Sequence, residues 1–238
     1  MTDLICMIHS GNHNRWIWHY WYSYFKKYWP WDCGIDVVFL CEHTPPTWPN
    51  ITTFETGICS NKLDDRGKVK MWSDGLIDVL QRDVTATHIL YLLEDYFLLS
   101  RPNIEKIIEL KNIMVKQSYP KINIFTDRYN HKAQVRNERT EEGLVKIQND
   151  IPYLASMQPS IWNRDFMLNV LQHNERSWDF EISGSERIRK RGIETYMCND
   201  ESEVNKSSVI PYKEIMRLGK IRKGEARGLI NAVQEGKV

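Results

Sequence analysis

Runs of apolar residues alternate along the first half of the chain with segments of helical periodicity. Strands are expected at Leu4 to Ile8, at Ile35 to Cys41 and within the stretch ITTFETG. Amphipathic helices are expected around Trp72 to Leu80 and from Ile104 to Val115. Strands that alternate with helices are typical of an α/β domain, so the pattern predicts a mostly parallel central sheet flanked by helices.

The stretch HILYLLEDYFLLS, residues 88 to 100, is apolar enough to form a strand buried on both faces, yet Glu94 and Asp95 interrupt it. A buried carboxylate costs several kcal/mol unless it is paired, hydrogen-bonded or bound to a metal ion. We therefore expect both acids at the mouth of the sheet, where they face a crevice.

Polar side chains follow three of the predicted strands at their carboxyl ends. His9 and Ser10 follow the first strand, Glu42 follows the second, and Glu94 with Asp95 follow the strand that begins at residue 88. The carboxyl ends of parallel strands meet at one edge of a sheet, and open α/β sheets bind their ligands there. The convergence predicts a nucleotide site.

Two segments admit more than one interpretation. The stretch NRWIWHYWYSYFKKYWPW has two apolar stripes and a narrow polar face on a helix, so we expect it to pack on the sheet, with a helix in a membrane interface as the alternative. The region from Asp127 to Gly143 is polar and nearly free of aliphatic residues, and we expect a surface loop that acts as a lid, or an exposed hairpin. A strand and a helix follow within IPYLASMQPSIWNRDFMLNVL.

Composition narrows the class of protein. The 238 residues include 32 Lys and Arg against 31 Asp and Glu, so no strong field draws the chain to nucleic acid. Five cysteines without a CxxC pair indicate reduced thiols and a cytoplasmic protein. Neither an apolar run of membrane-spanning length nor a signal peptide is evident, so no integral membrane segment is expected.

Two constellations carry chemistry. Glu94 and Asp95 suit Mg²⁺ or Mn²⁺, which takes one or two carboxylates and fills its other positions with phosphates and water; alternatively they form salt bridges or cap a turn. In SWDFE, Asp179 and Glu181 alternate with Trp178 and Phe180, which offers a sugar ring a stacking surface and a general base. The alternative is that the aromatic rings are core and the acids face water.

The order of these segments resembles a group of bacterial and viral sugar-transfer proteins of the GT-A type. The resemblance rests on LLEDYFL, SMQPSIWNRDFML and SWDFE, together with the aromatic N-terminal helix, WSDGLIDVL and GKIRKGEA, and covers most of the chain. It implies a Rossmann-like GT-A fold in one domain over residues 1–238, in which residues 1–126 bind a nucleotide-sugar donor and residues 127–238 face the acceptor. The acceptor is a glycan, or is lipid-linked or protein-linked.

The chain departs from the family in its acidic motif. GT-A enzymes usually carry Asp-x-Asp, whereas this chain has Leu93, Glu94 and Asp95. The metal role therefore passes first to Asp95 and then to Glu94. The last histidine is His173, in a family that often uses a late histidine as a metal ligand, and the C-terminal cations Lys220, Arg222 and Lys223 offer a second means of neutralising a diphosphate.

The resemblance implies a hexosyl or deoxyhexosyl transferase of polysaccharide biosynthesis that uses Mn²⁺ or Mg²⁺ and inverts the anomeric centre. Glu181 is the expected base, with Asp179 as the alternative; on a strand both acids would share one side, and on a helix only one could face the donor. The expected donor-binding residues are His9, Ser10, Glu42, Trp72, Asp74, Glu94, Asp95, Lys220 and Lys223. Among them, Glu42 and Asp74 are expected to bind the nucleoside. The competing hypotheses are a non-catalytic carbohydrate- or nucleotide-binding module and a metal-dependent phosphohydrolase.

Overall fold

The structure, a computed structural model, describes residues 3–57, 70–125, 139–198, 207–217 and 220–238. The strands are β1 (Leu4–His9), β2 (Asp36–Cys41), β3 (Ile51–Glu55), β4 (His88–Leu93), β5 (Tyr96–Leu98), β6 (Lys121–Asn123), β7 (Val145–Ile147), β8 (Ser160–Asn163), β9 (Thr195–Met197), β10 (Tyr212–Glu214), β11 (Met216–Arg217) and β12 (Lys220–Ile221). The helices are α1 (Trp18–Tyr28), α2 (Trp72–Arg82), α3 (Ile104–Gln117), α4 (Arg164–Val170), α5 (Ser177–Asp179), α6 (Ser185–Lys190) and α7 (Lys223–Gln234). A 3₁₀ helix at Asn12–Ile17 precedes α1, and a π-helical turn at Phe180–Gly184 joins α5 to α6.

Eight strands form one central sheet in the order β3-β2-β1-β4-β8-β6-β9-β7. The first four strands in this order run parallel to one another, and β6 runs parallel to β9, whereas β8 and β7 are antiparallel to their neighbours. The strands predicted at Leu4 to Ile8 and Ile35 to Cys41 are β1 and β2, and ITTFETG contains β3. The parallel half therefore comes from the segments whose hydrophobic pattern was clearest.

The central strand β1 is buried on both faces because helices cover both sides of the sheet. Cys6 and Ile8 belong to the core under α1 and α3, while Ile5 and Met7 belong to the core under α2 and α4. The aromatic helix α1 packs on the sheet, with the Trp18 ring 5.3 Å from that of Phe39, edge to face. Burial of large aromatic rings here is a main source of the hydrophobic stabilisation.

Strand β8 runs against β4 and β6, so its first residue lies at the edge where β4 ends. Ser160 pairs with Tyr91 near the end of β4, and the loop that precedes β8 therefore reaches the carboxyl edge of the parallel strands. This arrangement brings the middle of the chain to the strand ends of its first half.

A two-stranded sheet lies directly after Glu94 and Asp95 in the chain. The short strand β5 follows Glu94 and Asp95 and pairs antiparallel with β10, so that Tyr96 lies opposite Glu214. The Ile215 amide donates to the Asp95 carbonyl at 3.1 Å, which fixes the turn between β4 and β5.

Most of the loop expected from Asp127 to Gly143 lies outside the described residues. Its described end, residues 139–143, forms a turn in which Arg139 bridges Val145 and Gly143 has φ of 78°, a conformation that favours glycine. Among the helices of the described part of the chain, none combines the length and the apolar character that a membrane crossing requires.

Candidate active site

A cleft of about 710 Å³ opens at the carboxyl edge of the parallel strands. The cleft is lined by the ends of β1 and β2, the start of α2, the loop before β8, the helical segment that begins with α5, and β10. The residues that line it include His9, Glu42, Trp72, Asp95, Trp178 and Glu181. Crevices at this edge are where open α/β sheets bind ligands.

Glu94 lies in the turn after β4 and is 4% exposed. The Asn14 side-chain amide donates to its Oε1 at 2.5 Å. Burial raises the pKa of Glu94 to about 7, and the hydrogen bonds from Asn14 and Ser10 offset that rise only in part. Ser10, which was expected at the site, does not line the cleft. Its hydroxyl accepts a hydrogen bond from the Trp18 indole at 2.6 Å.

Asp95 is buried close to two other acids, so its charged form is disfavoured. Its pKa is raised well above the usual range, first by burial and then by the charges of Glu94 and Glu214, although the Met216 amide donates to the carboxylate. Its buried Oδ1 accepts no hydrogen bond from any group in the described residues. A buried carboxylate oxygen of this kind is stabilised by a proton, a hydrogen-bond donor or a cation.

Two carboxylates, those of Asp95 and Glu94, are available to bind a divalent cation. Within the described ranges, no group of three or more His, Cys, Asp or Glu side chains is arranged to hold a metal ion. Mg²⁺ and Mn²⁺ are commonly bound through one or two carboxylates together with substrate phosphates, and Asp95 and Glu94 meet that requirement. The Oδ1 atom of Asp95 and the repulsion between the two acids favour the same assignment.

The side of the cleft next to β1 carries a stacked pair of rings. The ring centres of His9 and Trp72 lie 5.4 Å apart with nearly parallel planes, and a hydrogen bond of 3.1 Å joins His9 Nδ1 to the Tyr91 hydroxyl. Burial lowers the pKa of His9 to about 3, so its ring is neutral at physiological pH. His9 and Trp72, both expected at the site, therefore form part of the cleft wall.

Glu42 and Lys70 add charges on the same side. The Glu42 Oε2 atom accepts from the Asn12 amide at 3.0 Å, which holds the carboxylate at the end of β2. The Lys70 ammonium donates to the Thr56 carbonyl at 2.6 Å and pairs with Asp78 at 2.6 Å. Lys70 was not expected from the sequence, because it follows residues 58–69, where no regular pattern marks an element.

Glu181 lines the cleft from the π-helical turn. Its Oε1 accepts from the Met157 amide at 2.8 Å, and burial raises the pKa of its carboxyl. The loop before β8 thus orients this acid. The buried ammonium of Lys121 fixes the loop in turn, because it donates to the Leu154 and Ser156 carbonyls at 2.9 and 3.0 Å.

Asp179 does not line the cleft. The segment is helical, so Asp179 and Glu181 diverge, and the Asp179 carboxylate accepts from the Arg176 amide and from its guanidinium at 3.2 and 2.9 Å. These hydrogen bonds lower the pKa of Asp179 and cap the start of α5. A low pKa disfavours a base, so the alternative assignment loses its geometric support.

Asp74 also lies away from the cleft lining, although a role at the nucleoside was expected. It is 2% exposed and its Oδ2 accepts from the Met71 amide at 2.8 Å, which caps α2. Its Oδ1 bonds to His173 Nδ1 at 2.6 Å, so the histidine considered as a late metal ligand is attached to this cap.

We expect Asp74→Ala to lower the free energy of unfolding by about 1 to 3 kcal/mol, because a helix cap is lost and buried partners are left unsatisfied. Urea denaturation measures the change. The control is Asp83→Ala at the other end of α2, where an ion pair with exposed Arg82 contributes about 0 to 1 kcal/mol. An Asp74→Ala protein of normal stability that binds nucleotide poorly would restore the nucleoside role.

The expected C-terminal cations are spread out. Lys220 is exposed on β12 and does not line the cleft. Arg222 lies 3.9 Å from Glu214, which does line it. Lys223 begins α7, and its side chain lies outside the part of the chain that the structure describes. A direct role of Lys220 in binding a diphosphate has no support from its position.

Glu214 is the main residue that the sequence did not reveal. It enters the cleft because β10 pairs with β5, and its charge raises the pKa of Asp95. No motif surrounds it in PYKEIM. The signal would have been the pairing of two short strands far apart in the chain, which a hydrophobic pattern does not encode.

No protein-family model and no curated protein sequence matches the chain. The solved structures to which the chain is similar include the following two. The mannosyltransferase PcManGT from Pyrobaculum calidifontis, in complex with GDP-Man and Mn²⁺, is 10% identical, with a TM-score of 0.54 over 91% of this chain and 58% of that one. S. aureus TarS 1-349 is 9% identical, with a TM-score of 0.47 over 85% of this chain and 59% of that one.

The likeness to the mannosyltransferase confirms the predicted fold class, a mixed α/β fold with a large, mostly parallel central sheet flanked by helices. At this level of identity the likeness concerns the fold alone. The chain spans less than two thirds of the length of either solved structure.

Proposed function

We propose that this chain is a glycosyltransferase that moves a sugar from a nucleotide-sugar donor to a hydroxyl acceptor. The observation that carries the proposal is that one cleft holds acids from two different parts of the chain. Glu94 and Asp95 follow β4, while Glu181 belongs to the π-helical turn, where the Met157 amide donates to it. Sugar transfer requires these two tasks, to hold a diphosphate and to take a proton.

In the proposed reaction the acceptor oxygen forms a bond to the anomeric carbon of the donor sugar. The bond from that carbon to the diphosphate oxygen breaks, its electron pair leaves with the nucleoside diphosphate, and the acceptor proton passes to the Glu181 carboxylate. A base on the side opposite the leaving group gives inversion of the anomeric centre, which is the stereochemistry we propose. Burial supports this role for Glu181, because it raises the pKa of the carboxyl toward the range of general bases.

The Asp95 and Glu94 carboxylates would hold Mn²⁺ or Mg²⁺, which would offset the negative charge that develops on the departing diphosphate. His9 and Trp72 would line the donor site beside them, and Glu42 would face the nucleoside. A metal-assisted donor site also relieves the repulsion that raises the pKa of Asp95.

The finer assignments follow the family resemblance. We propose a hexosyl or deoxyhexosyl donor and a role in polysaccharide assembly. The halves 1–126 and 127–238 remain the proposed donor and acceptor sides, and a cytoplasmic location remains a prediction from the cysteine content.

A donor screen tests the proposal. We expect one of the common UDP-, GDP-, dTDP- or CMP-sugars to raise the melting temperature in the presence of Mn²⁺, and to do so less with EDTA. A donor at about 100 times its Kd stabilises by about 2.7 kcal/mol, or roughly 5 to 11 °C for a chain of this size. Chromatography of the nucleoside diphosphate released with and without acceptor separates transfer from mere binding. Binding without any release would favour the non-catalytic module, and no shift with any donor would contradict the proposal.

A further inference from the structure

Trp178 stands on the rim of the cleft with half of its surface open to solvent. It is 50% exposed, although large aromatic side chains are mostly buried on average, and it begins the helical segment that carries Glu181. Residues three apart on a helical backbone share a face, and both Trp178 and Glu181 line the cleft. The indole therefore lies on the same side as the proposed base.

A second ring completes the surface. The Tyr153 ring centre lies 5.8 Å from that of Trp178, with 55° between the ring planes, so the two rings form a corner in which Trp178 lines the cleft and Tyr153 lies behind the lining. Tyr153 has φ of 64°, which is uncommon for a residue with a side chain, and its carbonyl accepts from the Ser156 amide at 3.0 Å. The same loop continues to Met157, whose amide holds Glu181. The ring corner and the base are thus positioned by one loop.

Polar side chains line the same cleft as Trp178. The Arg176 guanidinium lines the cleft while it bonds to Asp179 at 2.9 Å, and Gln158 lines it while its Oε1 accepts from the Tyr212 hydroxyl at 3.2 Å. A pyranose ring presents an apolar C–H face and a rim of hydroxyl groups. Stacking on an indole with hydrogen bonds at the ring edge matches both features.

We propose that Trp178 and Tyr153 form the acceptor subsite and that its occupant is a pyranose ring of a glycan. The inference rests on the proposed function, since it places the ring beside the base that would take its proton. A nucleobase fits less well here, because nucleotides in such sheets bind at the carboxyl ends of parallel strands such as β1 and β2, whereas Trp178 belongs to α5. A lipid chain would need a continuous apolar patch, whereas Arg176 and Glu181 flank this one.

The test measures glycoside binding without donor or metal. The probes are methyl α- and β-glycosides of glucose, galactose, mannose, N-acetylglucosamine and rhamnose. Their binding is detected by saturation-transfer NMR, and their Kd is measured by titration. We expect at least one probe to bind the wild-type protein and Trp178→Ala to weaken its Kd about tenfold, as loss of a stacking face implies, with Trp178→Phe in between. The matched control is Trp16→Ala, because Trp16 is 43% exposed and lies outside the cleft lining.

Three outcomes overturn the inference. They are no binding of any glycoside to the wild-type protein, equal binding by Trp178→Ala in a protein of normal melting temperature, and a loss in Trp178→Ala that falls on UDP or GDP instead of the glycoside. If donors shift the melting temperature but no glycoside binds, the proposed function stands and this inference fails. If glycosides bind at Trp178 but no donor does, the carbohydrate site stands and the proposed transfer fails.

Discussion

Asp95→Asn is expected to reduce sugar transfer at least about 100-fold while the protein melts at the same temperature or a higher one. Transfer is lost because the Asn amide lacks the negative charge that would hold a metal ion against the donor diphosphate. The gain in stability follows because the Asp95 carboxyl is buried, repelled by Glu94 and Glu214, and left with an Oδ1 that no described group satisfies. A neutral side chain of the same shape removes those costs.

The stability gain should depend on pH. A carboxyl whose folded pKa is raised binds its proton more tightly in the folded protein, so stability is greatest in acid and is lost as pH rises through the folded pKa. Glu94 has its pKa raised to about 7, and that of Asp95 is also well above the usual range. The melting temperature of Asp95→Asn should therefore exceed that of the wild-type protein by more at about pH 8 than at about pH 5.5.

Calorimetry at the two pH values and a donor-turnover assay give both numbers. The control is Asp165→Asn, which makes the same change at an acid with 74% of its side chain exposed and should alter neither. Loss of fold together with loss of activity would make the acid pair structural. Full turnover by Asp95→Asn would place the donor elsewhere.

The fold was predictable where the hydrophobic pattern is local. β1, β2 and β4 are apolar on both faces, and such runs identify strands in the middle of a parallel sheet. β8 was placed only as an unspecified strand after Ile151. Its antiparallel position between β4 and β6 depends on pairing with distant segments, and its four residues carry no pattern that records it.

The candidate site also contains some residues that the sequence predicts and one that it does not. His9, Glu42, Glu94 and Asp95 line the cleft because the carboxyl ends of parallel strands share one edge, a rule that needs only the strand ends. Glu214 arrives through the pairing of β5 with β10, and nothing near it in the sequence marks this. The sequence therefore could not predict residues whose position depends on pairing between short, distant strands.

Asp74 and Asp179 share one physical reason for lying outside the cleft. Each is the third residue of a helix and accepts from the backbone amide of the residue before that helix, Met71 for one and Arg176 for the other. An acid at this position satisfies a helix-end amide and opposes the positive end of the helix dipole. Carboxylates three residues after a helix boundary are better interpreted as caps first.

Glu181→Gln should abolish sugar transfer, by roughly 10² to 10⁴-fold, and leave donor binding intact. The amide keeps the shape of the side chain and can still accept from the Met157 amide, but it cannot take a proton. Burial raises the pKa of Glu181, so the wild-type rate should fall as pH drops through a value above that of an ordinary glutamate. The base is then protonated in a protein that remains folded.

Single-turnover transfer and the donor-induced shift in melting temperature separate the two effects. Glu186→Gln is the matched control, since Glu186 lies on the same helical segment with 53% of its side chain exposed and pairs with Arg189. Asp179→Asn should transfer at close to the wild-type rate, because its carboxylate caps α5 and faces away from the cleft lining. Near-normal transfer by Glu181→Gln, or loss of transfer in Asp179→Asn alone, would show that the base is misassigned. Only a rate that depends on Glu181 and is indifferent to both neighbouring acids supports the assignment, because a merely structural carboxylate would change donor binding and transfer together.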